Sequence, residues 1–430
     1  EERTHGTREM SNRIKSFFNK EAFDFSKGYV DPFQFHKTCF ILLKAFQVFD
    51  EPIPKWTYLL KSVILFCGLS ALSILAMGLY HGIDELDIVY LTESGTYFLI
   101  MIYKLLILWS TRTDLPEYHK FLEILREDFL LVCCGDSTYR KNFFRKQLET
   151  WKYCLYFMIF IGSIGISMMF ISILQLILWY STDLATEQSK RPLIFPFWAF
   201  KTDFGKTPIY EISFVYANVC VSAYILNYLF MMKTQILWVR EIATKADMVI
   251  WSVEDLLKGV HPATKQNERY FSALIKYRMR KIVQMHQSML DLLRYYAKVY
   301  TKFLMFEQKV CAPVVCLSAY CITKVIILEE GEFNIVLALL CAATIISVFV
   351  PSYLCSFLAL KVSSICFACW NTPFWNANPI IRPYLVLIMQ RSLRPLPIKT
   401  PGFEEVSLQT FSNKMASAYS FYNMLRQANI

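Results

Sequence analysis

Glycine is scarce, with 13 residues in 430, and no glycine-rich turn of the kind that cradles a phosphate is present. The six histidines, His5, His36, His81, His119, His261 and His286, show no paired metal-ligand spacing, and no Ser-His-Asp or HExxH arrangement accompanies them. The common nucleotide-dependent and hydrolytic enzyme classes are thereby excluded, and the chain is read as no enzyme. Charge is also thin: Asp, Glu, Lys and Arg make up 19% of the residues, against about 25% in an average soluble domain. Thirteen cysteines are present, yet the stretch 181–209 holds none, so no disulfide framework is visible there. "CFAC" at 366–369 is a single CxxC without a second pair and carries no zinc site. No cofactor is expected.

What fills the space is grease. Hydrophobic residues make up 55% and aromatics 16%, and the mean hydropathy is +0.34. A spanning helix needs about 20 mostly apolar residues to cover ~30 Å of hydrocarbon with every backbone group bonded internally. Seven stretches are predicted to span: 58–80, 89–109, 153–180, 210–237, 303–328, 333–360 and 403–427, the last the weakest by hydropathy. The run "IIRPYLVLIMQR" at 380–391 is too short and reads as a cytoplasmic packing helix. The opening "EERTHGTREMSNRIKSFF" lacks the apolar core of a secretory signal, so the N-terminus is expected to stay in the cytoplasm.

Basic residues are retained on the cytoplasmic side, and their distribution is lopsided. Segments 1–57, 110–150, 238–302 and 361–402 carry nine, seven, twelve and five Lys and Arg, whereas 81–88, 181–209 and 329–332 carry none, four and none. The fold class that follows is an all-α membrane protein of seven transmembrane helices, with the N-terminus cytoplasmic and the C-terminus extracellular. Its sections are a cytoplasmic N-terminal segment (1–57), helices 1–4 (58–237), cytoplasmic extensions of helices 4 and 5 (238–302), helices 5–6 (303–360), a cytoplasmic segment with a short helix (361–402) and a final helix (403–430). Apolar residues recur every three to four through 238–302, broken at "HPATKQN", so a helical anchor bundle is expected below the bilayer. The net charge of +10 then faces anionic lipid headgroups, not nucleic acid.

The last helix is half polar. Asn413, Ser417, Ser420 and Gln427 project to one side at 100° per residue, with Met424 the one apolar member of that row. The opposite side, Phe411, Met415, Ala418, Tyr422 and Leu425, is apolar. Small uncharged polar groups in a row suit either hydrogen bonding between neighbouring helices or the lining of a water-filled pore shared among subunits, with Met424 as a hydrophobic constriction.

The run "QRSLRPLPIKTPGFEEVSLQTFSNKMASAYSFYNML" at 390–425 resembles the C-terminal signature of insect odorant receptors, and "FPFWAFKTDFGKTPIYEISFVY" at 195–216 is similar to the segment before that family's fourth helix. The resemblance extends over the chain in length and in seven inside-first crossings. It implies a subunit of a tetrameric, odorant-gated, non-selective cation channel in the plasma membrane of a sensory neuron dendrite. The shorter second cytoplasmic connection and the polar Asn423 and Arg426 resemble an odour-tuning subunit that pairs with the co-receptor Orco in a heterotetramer. The gustatory sister family's "TY" followed by "QF" is not found. By resemblance the constriction falls on Met424 with Gln427 and Ala428 beyond it, and the subunit interface involves Trp375, Tyr384 and Arg391 in the anchor segment.

The family's volatile ligand sits in the outer half of the bundle. Positions expected to line that site are Ser94, Tyr97 and Phe98; Phe170, Ile173 and Leu174; Tyr210, Phe214 and Asn218; and Ala338 and Ala342. Lys104 and Lys324 lie within predicted spans, where an ammonium marks a partner or a watery cavity, and Pro351 is expected to kink the sixth. Two other classes compete: a transporter, opposed by the absence of an inverted repeat and of paired intramembrane acids, and a G-protein-coupled receptor, opposed by the charge count and by the absence of "DRY" and "NPxxY".

Overall fold

A computed structural model of the chain describes residues 29–48, 55–181, 191–199, 202, 204–260, 268–328, 335–373, 381–394, 398 and 405–427. Eleven α-helices and no strand occur among them. Two short helices, α1 (Pro32–Phe35) and α2 (Lys37–Ala45), precede α3 (Lys55–Asp84), α4 (Ile88–Thr113) and α5 (Leu115–Cys133). Three long helices follow, α6 (Ser137–Ser181), α7 (Ile209–Glu254) and α8 (Glu268–Leu328), and then α9 (Ile335–Asn371), α10 (Arg382–Ser392) and α11 (Leu408–Gln427). Local chemistry sets the breaks. The Asp87 carboxylate accepts the Tyr90 amide at 3.0 Å and caps α4, and Pro116 and Pro383 open α5 and α10 where their missing amide costs nothing.

Six helices, α3, α4 and α6–α9, are long and apolar enough to cross a membrane. The 20-residue α11 is also a helix where the seventh was expected, but its Asn, Ser, Lys and Gln residues leave it far less apolar than the other six. The 45, 46 and 61 residues of α6, α7 and α8 run to roughly 68, 69 and 92 Å at 1.5 Å per residue, more than twice the ~30 Å of hydrocarbon. Each must therefore project well beyond the bilayer.

Those projections form a bundle around α7. From Asn227 to Val249 every α7 residue except Arg240 is buried, so this stretch is enclosed on all sides. Trp238 is its centre: the indole stacks on Phe121 at 4.5 Å and meets the edges of Tyr118 and Tyr300. Several polar groups carried into this core find partners. Lys245 pairs with Asp128 at 2.9 Å, Lys361 donates to Asp247 at 2.8 Å, and Gln147 bridges His36 (2.7 Å) and Glu241 (2.8 Å). Burial pushes the Glu241 carboxyl up to about 8 despite the Gln147 amide, and pushes the His286 imidazole down to about 4, helped by Arg391.

A second, smaller apolar cluster lies among α3, α4, α6, α7, α8 and α9. Around it the helices turn apolar side chains outward: Ile166 is 71% exposed and Leu360 72%. Such a belt is tolerable only against lipid. The chain is a multi-pass membrane protein.

Candidate functional site

A cavity lies in this second cluster, with about 840 Å³ of non-atom space counting the open solvent at its mouth. Four helices build it with ordinary helical periodicity. Tyr97, Ile100 and Met101 come from α4, Ile161, Ile164, Gly165 and Met168 from α6, and Val221, Tyr224, Ile225 and Tyr228 from α7. Val336, Leu340, Ala343, Thr344 and Ser347 of α9 close the fourth side, and Ile194 and Phe195 from the segment 191–199 form a roof. The roof is tied down by the Tyr97 hydroxyl, which donates to the Ile194 carbonyl at 2.8 Å, and by the Tyr97 and Phe195 rings at 5.8 Å.

The walls are almost wholly apolar because their hydroxyls are already committed. Thr344 donates to the Leu340 carbonyl at 2.9 Å and Ser347 to the Thr344 carbonyl at 2.7 Å. The Tyr228 hydroxyl, buried and without a hydrogen-bond partner among the described residues, is a polar group open to a guest. Gly165 permits the close approach of α6 and α7, since a Cβ there would stand 2.4 Å from Ile225 Cδ1. A guest burying about 200 Å² of apolar surface would gain roughly 5 kcal/mol before the entropic cost of binding.

Of the positions expected from sequence, Tyr97 lines this cavity. Ser94 is buried one turn away, its hydroxyl beside the Tyr90 ring, and Phe98 is half-buried against the same cluster. Tyr210 is buried above, its hydroxyl donating to the Pro192 carbonyl at 2.8 Å, and Phe214 packs against it. Asn218 is half-buried, its amide donating to the Phe214 carbonyl at 2.9 Å. Phe170, Ile173 and Leu174 point away from the cavity and are 64%, 45% and 40% exposed. Ala338 and Ala342 also lie off it, the latter exposed. The physical reason is one of phase: α6 and α9 are apolar all round, so hydropathy does not say which face turns inward. On α4 and α7 the expected rows continue into the observed ones, one to three turns deeper.

The polar row of α11 faces away from the rest of the chain. Asn413, Ser417, Ser420, Met424 and Gln427 are all exposed, whereas Ala418 is buried and Phe411, Met415, Tyr422 and Leu425 are half-buried. Phe411 meets Phe349 of α9 at 5.5 Å, and the Tyr422 hydroxyl donates to Thr323 of α8 at 3.1 Å. The row's hydroxyls bond within their own helix, Ser417 to the Asn413 carbonyl at 2.9 Å and Ser420 to the Ala416 carbonyl at 3.0 Å. Ala428 and Trp375 lie outside the described residues. Tyr384 of α10 is exposed while Leu385 and Ile388 turn inward, and Arg391 is half-buried. Lys104 is fully buried with its ammonium unpartnered, and Lys324 stands 5.6 Å over the Tyr320 ring. Pro351 is buried within α9.

The described residues thus form a many-helix membrane protein with a roofed apolar cavity among its helices. The family model "7tm Odorant receptor" matches residues 87–419, and the chain belongs to that family; it is no enzyme. It is 24% identical over 152 residues to the Drosophila melanogaster sequence named odorant receptor 92a. That match spans 35% of this chain and 36% of the relative's length. The solved insect olfactory receptor OR5 from Machilis hrabei has the same fold, with a TM-score of 0.74, 16% identity, and coverage of 92% of this chain and 98% of that one. OR5 in complex with eugenol matches with a TM-score of 0.67 at the same identity and coverage.

Proposed function

We propose that this chain is the odour-tuning subunit of a ligand-gated, non-selective cation channel that binds a small volatile molecule in the α4–α6–α7–α9 cavity. The observation that carries the reading is the cavity itself: roofed, apolar, with the Tyr228 hydroxyl uncommitted in its wall. Eugenol, bound by the structural relative, is of the size and chemistry such walls accept. The pore is formed by α11 together with Orco subunits in a heterotetramer, each contributing its last helix around an axis. Support comes from the outward row Asn413, Ser417, Ser420, Met424 and Gln427, which is left exposed by the described residues. The anchor bundle, with Tyr384 on its outer surface, carries subunit contacts, the N-terminus is cytoplasmic, and the assembly resides in the plasma membrane of a sensory dendrite.

The test is heterologous expression with and without the co-receptor. The chain alone gives little odour-evoked current and gains it with Orco. Robust currents from the chain alone would defeat the tuning-subunit assignment, and an N-terminal tag reached by antibody on intact cells would reverse the topology.

A further inference from the structure

Beneath the volatile-binding cavity lies a second one, about 400 Å³ including its opening, bounded by α4, α7, α8 and α9. The two share Ile100, Tyr224, Thr344 and Ser347, so a thin wall of side chains separates them. What distinguishes the second is Glu307. Its carboxyl lines the cavity, is 6% exposed, accepts the Tyr103 hydroxyl through Oε1, and leaves Oε2 buried without a hydrogen-bond partner. Among the described residues no ion pair engages it; Lys104, next to Tyr103 in the chain, turns its stem toward Gly68 on α3, within 3.8 Å of a Cβ placed there. Three aromatic rings complete the lining: Tyr103 and Phe306, stacked at 5.4 Å, and Tyr224.

A carboxyl in an apolar site without a counter-charge is costly and at membrane depth marks a functional group. Aromatic faces attract cations, and a carboxylate accepts a charge-assisted hydrogen bond from an ammonium. An acid walled by rings thus has the chemistry of an amine-binding cage. We propose that this cavity is an amine subsite: a small protonated amine places its ammonium against Glu307 Oε2 and the rings of Tyr103, Phe306 and Tyr224, with its apolar body toward Ile100 and Ser347. The subsite deepens the receptor function proposed above, giving the protein a second class of ligand besides neutral volatiles.

The test compares 2-phenylethylamine with 2-phenylethanol, which share a carbon skeleton, on the purified full-length chain by thermal-shift or scintillation binding. Wild type binds the amine at least 10-fold more tightly than the alcohol. Glu307→Gln, which keeps shape and the Tyr103 hydrogen bond, weakens the amine about 10- to 100-fold, the worth of a charge-assisted bond, and leaves the alcohol within about twofold. If Glu307→Gln does not fold, Phe306→Leu serves instead and weakens the amine about 3- to 10-fold with the alcohol unchanged. Equal binding of the two probes, or an amine affinity indifferent to both substitutions, overturns the subsite. Neutral volatiles that still bind and gate in that case leave the primary reading standing, whereas their failure with intact amine binding removes the primary reading alone.

Discussion

Gly165 sits where α6 packs against Ile225 of α7 beside the proposed odorant cavity, and adding one methyl there should change what the cavity admits. An ideal Cβ at 165 would fall 2.4 Å from Ile225 Cδ1, 3.1 Å from Cγ1 and 3.2 Å from Cγ2. Contact at that range is impossible, but the obstacle is the end of a flexible side chain, so Ile225 turns out of its rotamer and its outer methyl swings into the free space. The rotamer change costs about 0.5–1.5 kcal/mol. The ligand loses contact equivalent to one or two methylenes, at about 0.8 kcal/mol each. Gly165→Ala should therefore weaken a cavity-filling odorant by about 1–2 kcal/mol, roughly 5- to 30-fold in half-maximal concentration, and weaken the smallest ligands least. Ile225→Val removes Cδ1, so the double variant should recover most of the loss, giving a coupling energy of about 1 kcal/mol. Dose–response recording in cells co-expressing Orco, normalised to surface expression, reads both. Additive losses in the double variant, or an unchanged Gly165→Ala curve, would show that no ligand occupies this contact.

Four further outcomes follow from single groups. Tyr97→Phe releases the roof by deleting its hydrogen bond to Ile194, at a cost of about 1 kcal/mol; odorant off-rates measured on the purified receptor should rise about fivefold. Asp128→Asn removes the counter-charge of the Lys245 ammonium, which is 3% exposed and is left with the neutral Ser288 hydroxyl, so surface expression should fall with a loss of about 3–5 kcal/mol. The His286 imidazole, held down to about 4, resists protonation while the unfolded chain accepts a proton near 6.5, so stability is full above that pH and falls as pH drops toward 4; by pH 5 the loss is about 2 kcal/mol. His286→Gln should flatten that part of a melting-temperature-against-pH curve. Met424→Ser should raise ligand-independent leak or alter permeability, whereas Tyr422→Phe, which loses only the bond to Thr323, should leave permeability unchanged.

The helices were legible because lipid demands long apolar runs, and six of them stand where hydropathy and basic loops put them. The last helix, expected as the seventh and weakest span, stands as a helix where it was placed, but Asn413, Ser417, Ser420 and Gln427 dilute its hydropathy below that of the other six. The cavity was legible only in part. Where a helix has a polar mark the facing can be read: Tyr97 on α4 and Asn218 on α7 gave rows that run on into the walls. Where both faces are apolar, as around Phe170 and Ala342, the choice between lipid and protein is made by packing, and small residues such as Gly165 decide it. The Glu307 cage went unread because its members, Tyr103, Tyr224 and Phe306, come from three helices and meet only in the folded chain. A glutamate within a predicted span was nonetheless a signal available in the sequence.

Filling the upper cavity from its α9 side tests the central claim most directly. Ala343 lines the cavity opposite the α6–α7 contact, and Ala343→Trp occupies the ligand's space without touching Gly165 or the pore row. Currents evoked by an odorant panel should be present for wild type with Orco, absent or shifted at least 100-fold for Ala343→Trp with Orco, and equal for the two when a direct co-receptor agonist is applied. Odorant responses that survive the tryptophan unchanged, at matched surface expression, would contradict the assignment of this cavity as the site that gates the channel.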